Sequence, residues 1–175
     1  MGSIVAIVGR PNVGKATFFN RVIQKREAIV DSISGVTRDR HYGKSNWNGR
    51  SFTLIDTGGY VEDSDDIFQK EIDKQVNLAI EEADAIIFMV DVADGVTGMD
   101  QTIAELLRRS HKPIYLAINK VDNALRIQDT PEFYALGFKQ FYSLSSVSGS
   151  GTGELLDDLI KDLPKEEERL EDTLP

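Results

Sequence analysis

Cysteine is absent from the 175 residues, which excludes disulfides and thiolate metal centres. Histidine is scarce: His41 and His111 stand far apart with no ligand spacing, and each reads as a structural side chain. No run approaches the ~20 consecutive apolar residues of a membrane span. Met1-Gly2-Ser3 opens no signal peptide, and Ala6 stands where a myristoylation site needs a hydroxyl. Basic excess is missing too. Net charge is −9, and the acidic last twelve residues account for only −3 of it. The body is therefore also acidic, and no direct nucleic-acid surface is expected on it. Internal repeats are absent. What remains is a soluble globular chain of ordinary domain size, expected to be cytoplasmic and monomeric.

What is present begins with Ile4-Val5-Ala6-Ile7-Val8, a β-branched run that reads as a buried strand, followed by Gly9-Arg10-Pro11-Asn12-Val13-Gly14-Lys15-Ala16-Thr17. A helix is expected from Ala16 to Ile23. Strand, Gly-rich turn and helix form the context of a phosphate-binding loop, in which backbone N–H groups wrap an anion and the lysine meets the β- and γ-phosphates. The pattern asks for Ser or Thr at position 16, whose oxygen ligates Mg²⁺, and the chain has Ala16. Thr17 does not substitute, because adjacent helical side chains point about 100° apart. G-x-x-x-x-G-K alone arises by chance in roughly one chain in twenty of this length, so the rest of the sequence must carry the reading.

Further along, residues 31–40 read as a long polar loop. Tyr42 to Trp47 and Ser51 to Ile55 flank Asn48-Gly49, a strong hairpin signal. The second strand of that hairpin runs into Asp56-Thr57-Gly58-Gly59, where an acid at a strand end suits a Mg²⁺–water contact and the glycines suit a γ-phosphate sensor. Ile67 onward reads as a helix, Ala85 to Val90 as a buried strand, and Met99, Ile103, Leu106 and Leu107 as a second helical stripe. Pro113 to Ile118 is another buried strand and stops at Asn119-Lys120-Val121-Asp122. N-K-x-D occurs by chance in only about 2% of such chains. Its chemistry fits guanine: Asp122 can accept from N1–H and N2–H₂ together, and adenine offers no such pair of donors. Asn119 would brace the loops and the Lys120 stem would cover the base. Phe138 to Leu144 is the last strand, ending in Ser145-Ser146-Val147, where a backbone N–H could reach the guanine O6; a helix opens after Gly149 to Gly153. The order predicts a three-layer α/β fold, with a six-stranded, mostly parallel sheet, one antiparallel strand and right-handed crossovers. The chemistry-bearing stretches fall at C-terminal strand ends, where ligands bind in such sheets.

Together these motifs resemble the first G domain of the Der (EngA) family of ribosome-assembly GTPases, in the Era/Der-like group of P-loop GTPases. The similarity rests on residues 9–15, on Gly35-Val36-Thr37-Arg38-Asp39-Arg40, on Asp56 to Tyr60, and on the Asn119–Asp122 and Ser145-Ser146 motifs. It covers residues 4 to about 163, so residues 1–163 are expected to form the G domain. Residues 164–175 resemble the linker to a second G domain that this chain does not include. The resemblance implies a GTP- and GDP-binding domain that hydrolyses GTP, with Lys15, Thr37, Gly59 and Asn12 in catalytic roles. It implies nucleotide contacts along residues 9–17, at Asp56, Thr57, Gly58 and Gly59, at Asn119, Lys120 and Asp122, and at Ser145, Ser146 and Val147. Thr37 and Asp56 would serve Mg²⁺, weakened by Ala16. Tyr60 stands where many GTPases carry a water-orienting glutamine, so the chain resembles the group that uses K⁺, held in part by Asn12. The implied partners are a second G domain, a KH-like domain and the large ribosomal subunit. Ala16, Ser34 and Ser146 depart from the family pattern. Two readings follow: a GTP hydrolase slowed by Ala16, and a nucleotide-occupied module that does not cycle. A kinase with the same loop is a distant third, because it leaves Asn119 to Asp122 unexplained.

Overall fold

The structure is a computed structural model that describes residues 3–11, 13–23, 41–57, 65–120, 131–145 and 151–163. Strand β1 (Ser3–Val8) runs up the middle of the sheet. Its neighbours are β3 (Arg50–Asp56) on one side and β4 (Ala85–Asp91) on the other, both parallel to it. Beyond β4 lie β5 (Ile114–Asn119) and β6 (Gln140–Ser143), also parallel; beyond β3 lies β2 (His41–Trp47), antiparallel. The spatial order is β2-β3-β1-β4-β5-β6, the expected six-stranded sheet with one antiparallel member.

Successive side chains of a strand point to opposite faces, and β1 shows the consequence. Val5 and Ile7 belong to one apolar cluster with Phe18, Phe19, Leu155 and Leu159, while Ala6 and Val8 belong to another with Ile72, Val76, Ile103 and Leu107. Helices α1 (Lys15–Ile23) and α5 (Thr152–Lys161) therefore cover one face. Helices α2 (Asp65–Glu82), α3 (Gly98–Ser110) and the short α4 (Pro131–Tyr134) cover the other. Covered on both sides, β4 is buried at every position, as its uninterrupted apolar run requires.

The β2–β3 turn falls on Asn48 and Gly49, with φ of 50° and 79°, the two positive values of a type I′ hairpin. Element types agree with the sequence, and ends shift by a few residues. The last strand is shorter than expected, Gln140–Ser143 rather than Phe138–Leu144, because Phe138 turns into the core to meet Phe88 edge-on at 5.7 Å. Helix α4 is not apparent in the sequence, since four residues carry no periodicity.

Helix α5 is held to the sheet by acids as well as by leucines. The Trp47 indole N–H and the Asn48 amide donate to Asp157 at 2.7 and 3.0 Å, and the Tyr142 hydroxyl donates to Asp158 at 2.6 Å. The Tyr115 hydroxyl bonds to Asp162. Three strands thus each send an aromatic donor to one helix. Burial, reinforced by the bond to Asp158, pushes the Tyr142 hydroxyl above the usual phenol range.

Candidate nucleotide-binding site

The C-terminal ends of β1, β3, β4 and β5 converge on the loop that follows β1. Lys15, the first residue of α1, is 5% exposed. Its ammonium donates to the carbonyls of Gly9 and Arg10 at 2.9 and 2.7 Å, so the side chain arches back over its own loop. Desolvation lowers its pKa from 10.5 to about 8; the Asp56 carboxylate pulls the other way and Arg10 adds to the lowering. A buried cation at the positive end of a helix is electrostatically costly until an anion meets it. Ala16 and Thr17, the next two residues, are exposed in the first turn of α1.

The loop is shaped by what lies behind it. A Cβ at Gly9 would stand 2.5 Å from the Met89 carbonyl, and one at Gly14, where φ is +104°, would stand 2.2 Å from the Asn119 amide nitrogen. That amide donates to the Val13 carbonyl at 2.8 Å, and Asn119 is 1% exposed. The asparagine of N-K-x-D and the second glycine of the loop are therefore one packing unit, although 105 residues separate Gly14 from Asn119. Sequence reasoning anticipates that Asn119 braces loops. The contact with Gly14 could be found only in three dimensions.

Other expected residues take more specific places. Asp56 ends β3 beside Ile7 of β1 and is 3% exposed. The Thr57 hydroxyl donates to the Ile7 carbonyl at 2.7 Å, so its side chain ties β3 to β1. The Lys120 ammonium pairs with Asp91 at 2.7 Å, and Lys120 sits at a left-handed φ of 68°. Ser145 is buried just beyond β6. Arg10 turns away from the loop: its guanidinium pairs with Asp94 at 2.8 Å and lies 3.3 Å from Asp100. Asp100 belongs to the capping box of α3, exchanging bonds with Thr97; burial pushes its carboxyl up, opposed by Thr97 and Arg10. Sequence reading missed Asp91, Asp94 and Asp100. The last was findable, because Thr97 followed three residues later by an acid is a helix-start signature. Asn12, Thr37, Gly58, Gly59, Tyr60, Asp122, Ser146 and Val147 lie outside the described residues, as does Ser34.

For a nucleotide phosphate, the donor set fits: a glycine-shaped loop at a helix N-terminus with a buried ammonium. For Mg²⁺ the fit is incomplete, since Asp56 offers a carboxylate at the strand end and position 16 offers only a methyl group. Among the described residues, no group of three or more His, Cys, Asp or Glu could hold a metal by itself.

Residues 4–120 match the family described as 50S ribosome-binding GTPase. The chain belongs to that family. Within this GTPase family it is 67% identical over 175 residues to GTPase Der of Christiangramia forsetii, covering all of this chain and 40% of that protein. It is 65% identical over 169 residues to GTPase Der of Flavobacterium johnsoniae, covering 97% of this chain and 39% of the other. The chain thus spans about two fifths of these relatives' length. Among solved structures, Era of Aquifex aeolicus bound to GDP and AlF₄⁻ matches with a TM-score of 0.75 at 29% identity, over 94% of this chain and 58% of Era. The G domain of the FeoB iron transporter of T. maritima matches with a TM-score of 0.70 at 25% identity, over 93% of this chain and 99% of that one. The fold of this GTPase family member is therefore the P-loop GTPase fold.

Proposed function

We propose that this chain is the first G domain of a ribosome-assembly GTPase, residues 1–163, and that it binds GTP and GDP and hydrolyses GTP to GDP and phosphate. The observation that carries the reading is the Asn119–Val13 hydrogen bond of 2.8 Å. It joins the phosphate-binding loop to the strand end from which N-K-x-D projects, so one ligand with phosphates and a base can span both. Lys15 meets the β- and γ-phosphates and exchanges its two carbonyl bonds for phosphate oxygens. Asp122 reads the guanine edge, Asn119 holds the loop, and the Lys120 stem lies against the base. Thr37 and Gly59 meet the γ-phosphate in the GTP state.

Mg²⁺, when bound, neutralises charge on the β- and γ-oxygens. Asp56 is the described residue that would serve it, and Ala16 contributes no oxygen, so metal affinity is low. Asn12 would help hold K⁺, whose positive charge would serve hydrolysis where Tyr60 offers no water-orienting amide. In the whole protein, residues 164–175 lead to a second G domain and a KH-like domain, and the large ribosomal subunit is the partner. The protein works in the cytoplasm; among the described residues no helix is long and apolar enough to cross a membrane. Ala16 favours a second reading, in which the domain holds nucleotide without cycling and acts through contacts to its neighbours.

Single-turnover hydrolysis of radiolabelled GTP with Mg²⁺, in KCl and in NaCl at equal ionic strength, tests the proposal. The hydrolase reading expects measurable phosphate release that is faster in KCl. Equal rates remove K⁺ from the mechanism, and no release beyond the buffer rate leaves the non-cycling module.

A further inference from the structure

At the other end of the sheet from the phosphate-binding loop lies a second opening, a groove of about 380 Å³ between the end of α3, the start of β5 and the loop entering β6. Among the described residues, four basic side chains line it, Arg108, His111, Lys112 and Lys139, and no acid does. Two of the four are held in place. The Arg108 guanidinium donates to the Leu136 carbonyl and keeps other N–H groups, and the Lys112 ammonium donates to the Ala83 carbonyl at 2.8 Å and keeps two. His111 caps α3 in the left-handed conformation and is exposed, as is Lys139. In a chain of net charge −9, this is a local exception that the overall sum conceals.

Beside the groove stands an aromatic platform. Tyr134 and Phe141 are 42% and 41% exposed, the large apolar side chains found exposed among the described residues. They stack on each other with centroids 4.1 Å apart and planes 30° apart. Phe141 follows the groove residue Gln140 directly, and the Tyr134 carbonyl accepts from the N–H of the groove residue Gly137 at 3.2 Å. Exposed aromatic area costs solubility unless something covers it. Cations that track a backbone next to aromatic rings that stack on bases are the combination by which proteins hold single-stranded nucleic acid.

We infer that this groove is a binding site for single-stranded RNA, with Arg108, His111, Lys112 and Lys139 on the phosphodiester backbone and Tyr134 and Phe141 stacking on bases. The site is separate from the nucleotide site and does not depend on the GTPase reading. An acidic peptide would satisfy the cations but leaves the stacked aromatic pair without a role.

Fluorescence anisotropy of the 175-residue chain with a labelled oligouridylate of about 12 nucleotides tests it. Saturable binding is expected, with a negative slope of log affinity against log salt. Lys112→Gln with Lys139→Gln should weaken binding at least tenfold at low salt and make the slope shallower by about 1.4, two single-strand phosphate contacts. Lys139→Gln alone should give about half that slope change, which keeps the test sharp if loss of the Lys112–Ala83 bond perturbs the fold. Tyr134→Ala with Phe141→Ala should weaken binding and leave the slope unchanged. Lys44→Gln with Lys161→Gln, the same charge change away from the groove, should do nothing. The assignment is overturned by an absence of saturable binding, by equal losses in the two lysine pairs, or by displacement of the RNA by oligoglutamate at equal charge concentration.

Discussion

Lys15 is the residue on which most of the site's physics turns, and its titration can be checked. In the ligand-free fold its pKa is about 8 against 10.5 for an ordinary lysine. Between those two values the unfolded chain binds more protons than the folded one, so the Lys15 contribution makes stability rise with pH across that window. Bound phosphate favours the charged ammonium and reverses the preference. GDP affinity should therefore fall as pH is raised from about 7 to about 9.5, and the fall should be largely lost in Lys15→Met. Titration of a fluorescent GDP analogue across that range reads it directly, and a flat profile would show that Lys15 does not meet the phosphates. Gly14→Ala should lower GDP affinity at least tenfold, because the new methyl would meet the Asn119 amide at a strained φ. At position 16, Ala16→Ser would supply the hydroxyl that the proposed Mg²⁺ site lacks. It should raise the hydrolysis rate at least tenfold, equivalent to ~1.4 kcal/mol of transition-state stabilisation. An unchanged rate and Mg²⁺ dependence in Ala16→Ser would mean that position 16 is not a metal-ligand position.

Elements rather than single residues decide how firmly the site is framed. Arg10 couples the phosphate-binding loop to α3 through Asp94 and Asp100, and the Thr97–Asp100 capping box fixes the start of that helix. Thr97→Ala should cost about 1 kcal/mol in urea denaturation. GDP binding should change little, because only the bond from the Asp100 backbone N–H to the Thr97 hydroxyl is lost, while the Asp100 carboxylate keeps the Thr97 backbone N–H and Arg10 keeps Asp94. Tyr142→Phe, which removes the donor to Asp158 and leaves the ring, should also cost about 1 kcal/mol, with GDP binding unaffected because the lost bond is to Asp158 on α5 and not to a residue of the loop. At this scale the sequence was a good guide. Buried strands announced themselves by β-branched runs, and the hairpin by Asn48-Gly49. The site was legible as far as its motifs are contiguous. Hidden were contacts between segments distant in the chain: Asn119 with Val13 and Gly14, Lys120 with Asp91, and Arg10 with α3. A polar side chain such as Arg10 carries no periodicity, so nothing in the linear order says whether it faces a ligand or an acid on the next helix.

For the molecule as a whole, the parallel sheet gathers the strand ends that carry chemistry at one edge and leaves a basic, aromatic groove at the other. The central claim is that the gathered edge is a guanine-nucleotide site. Calorimetric titration of the 175-residue chain with GDP and with ADP under identical conditions tests that claim most directly. On the proposed reading, ADP would present the same diphosphate to Lys15 and the loop but would leave the Asp122 carboxylate without its two donors, at about 1–3 kcal/mol for each unmet group. GDP should therefore bind saturably at one site and at least about a hundredfold more tightly than ADP, whereas equal affinities, or no binding of either, would contradict the account.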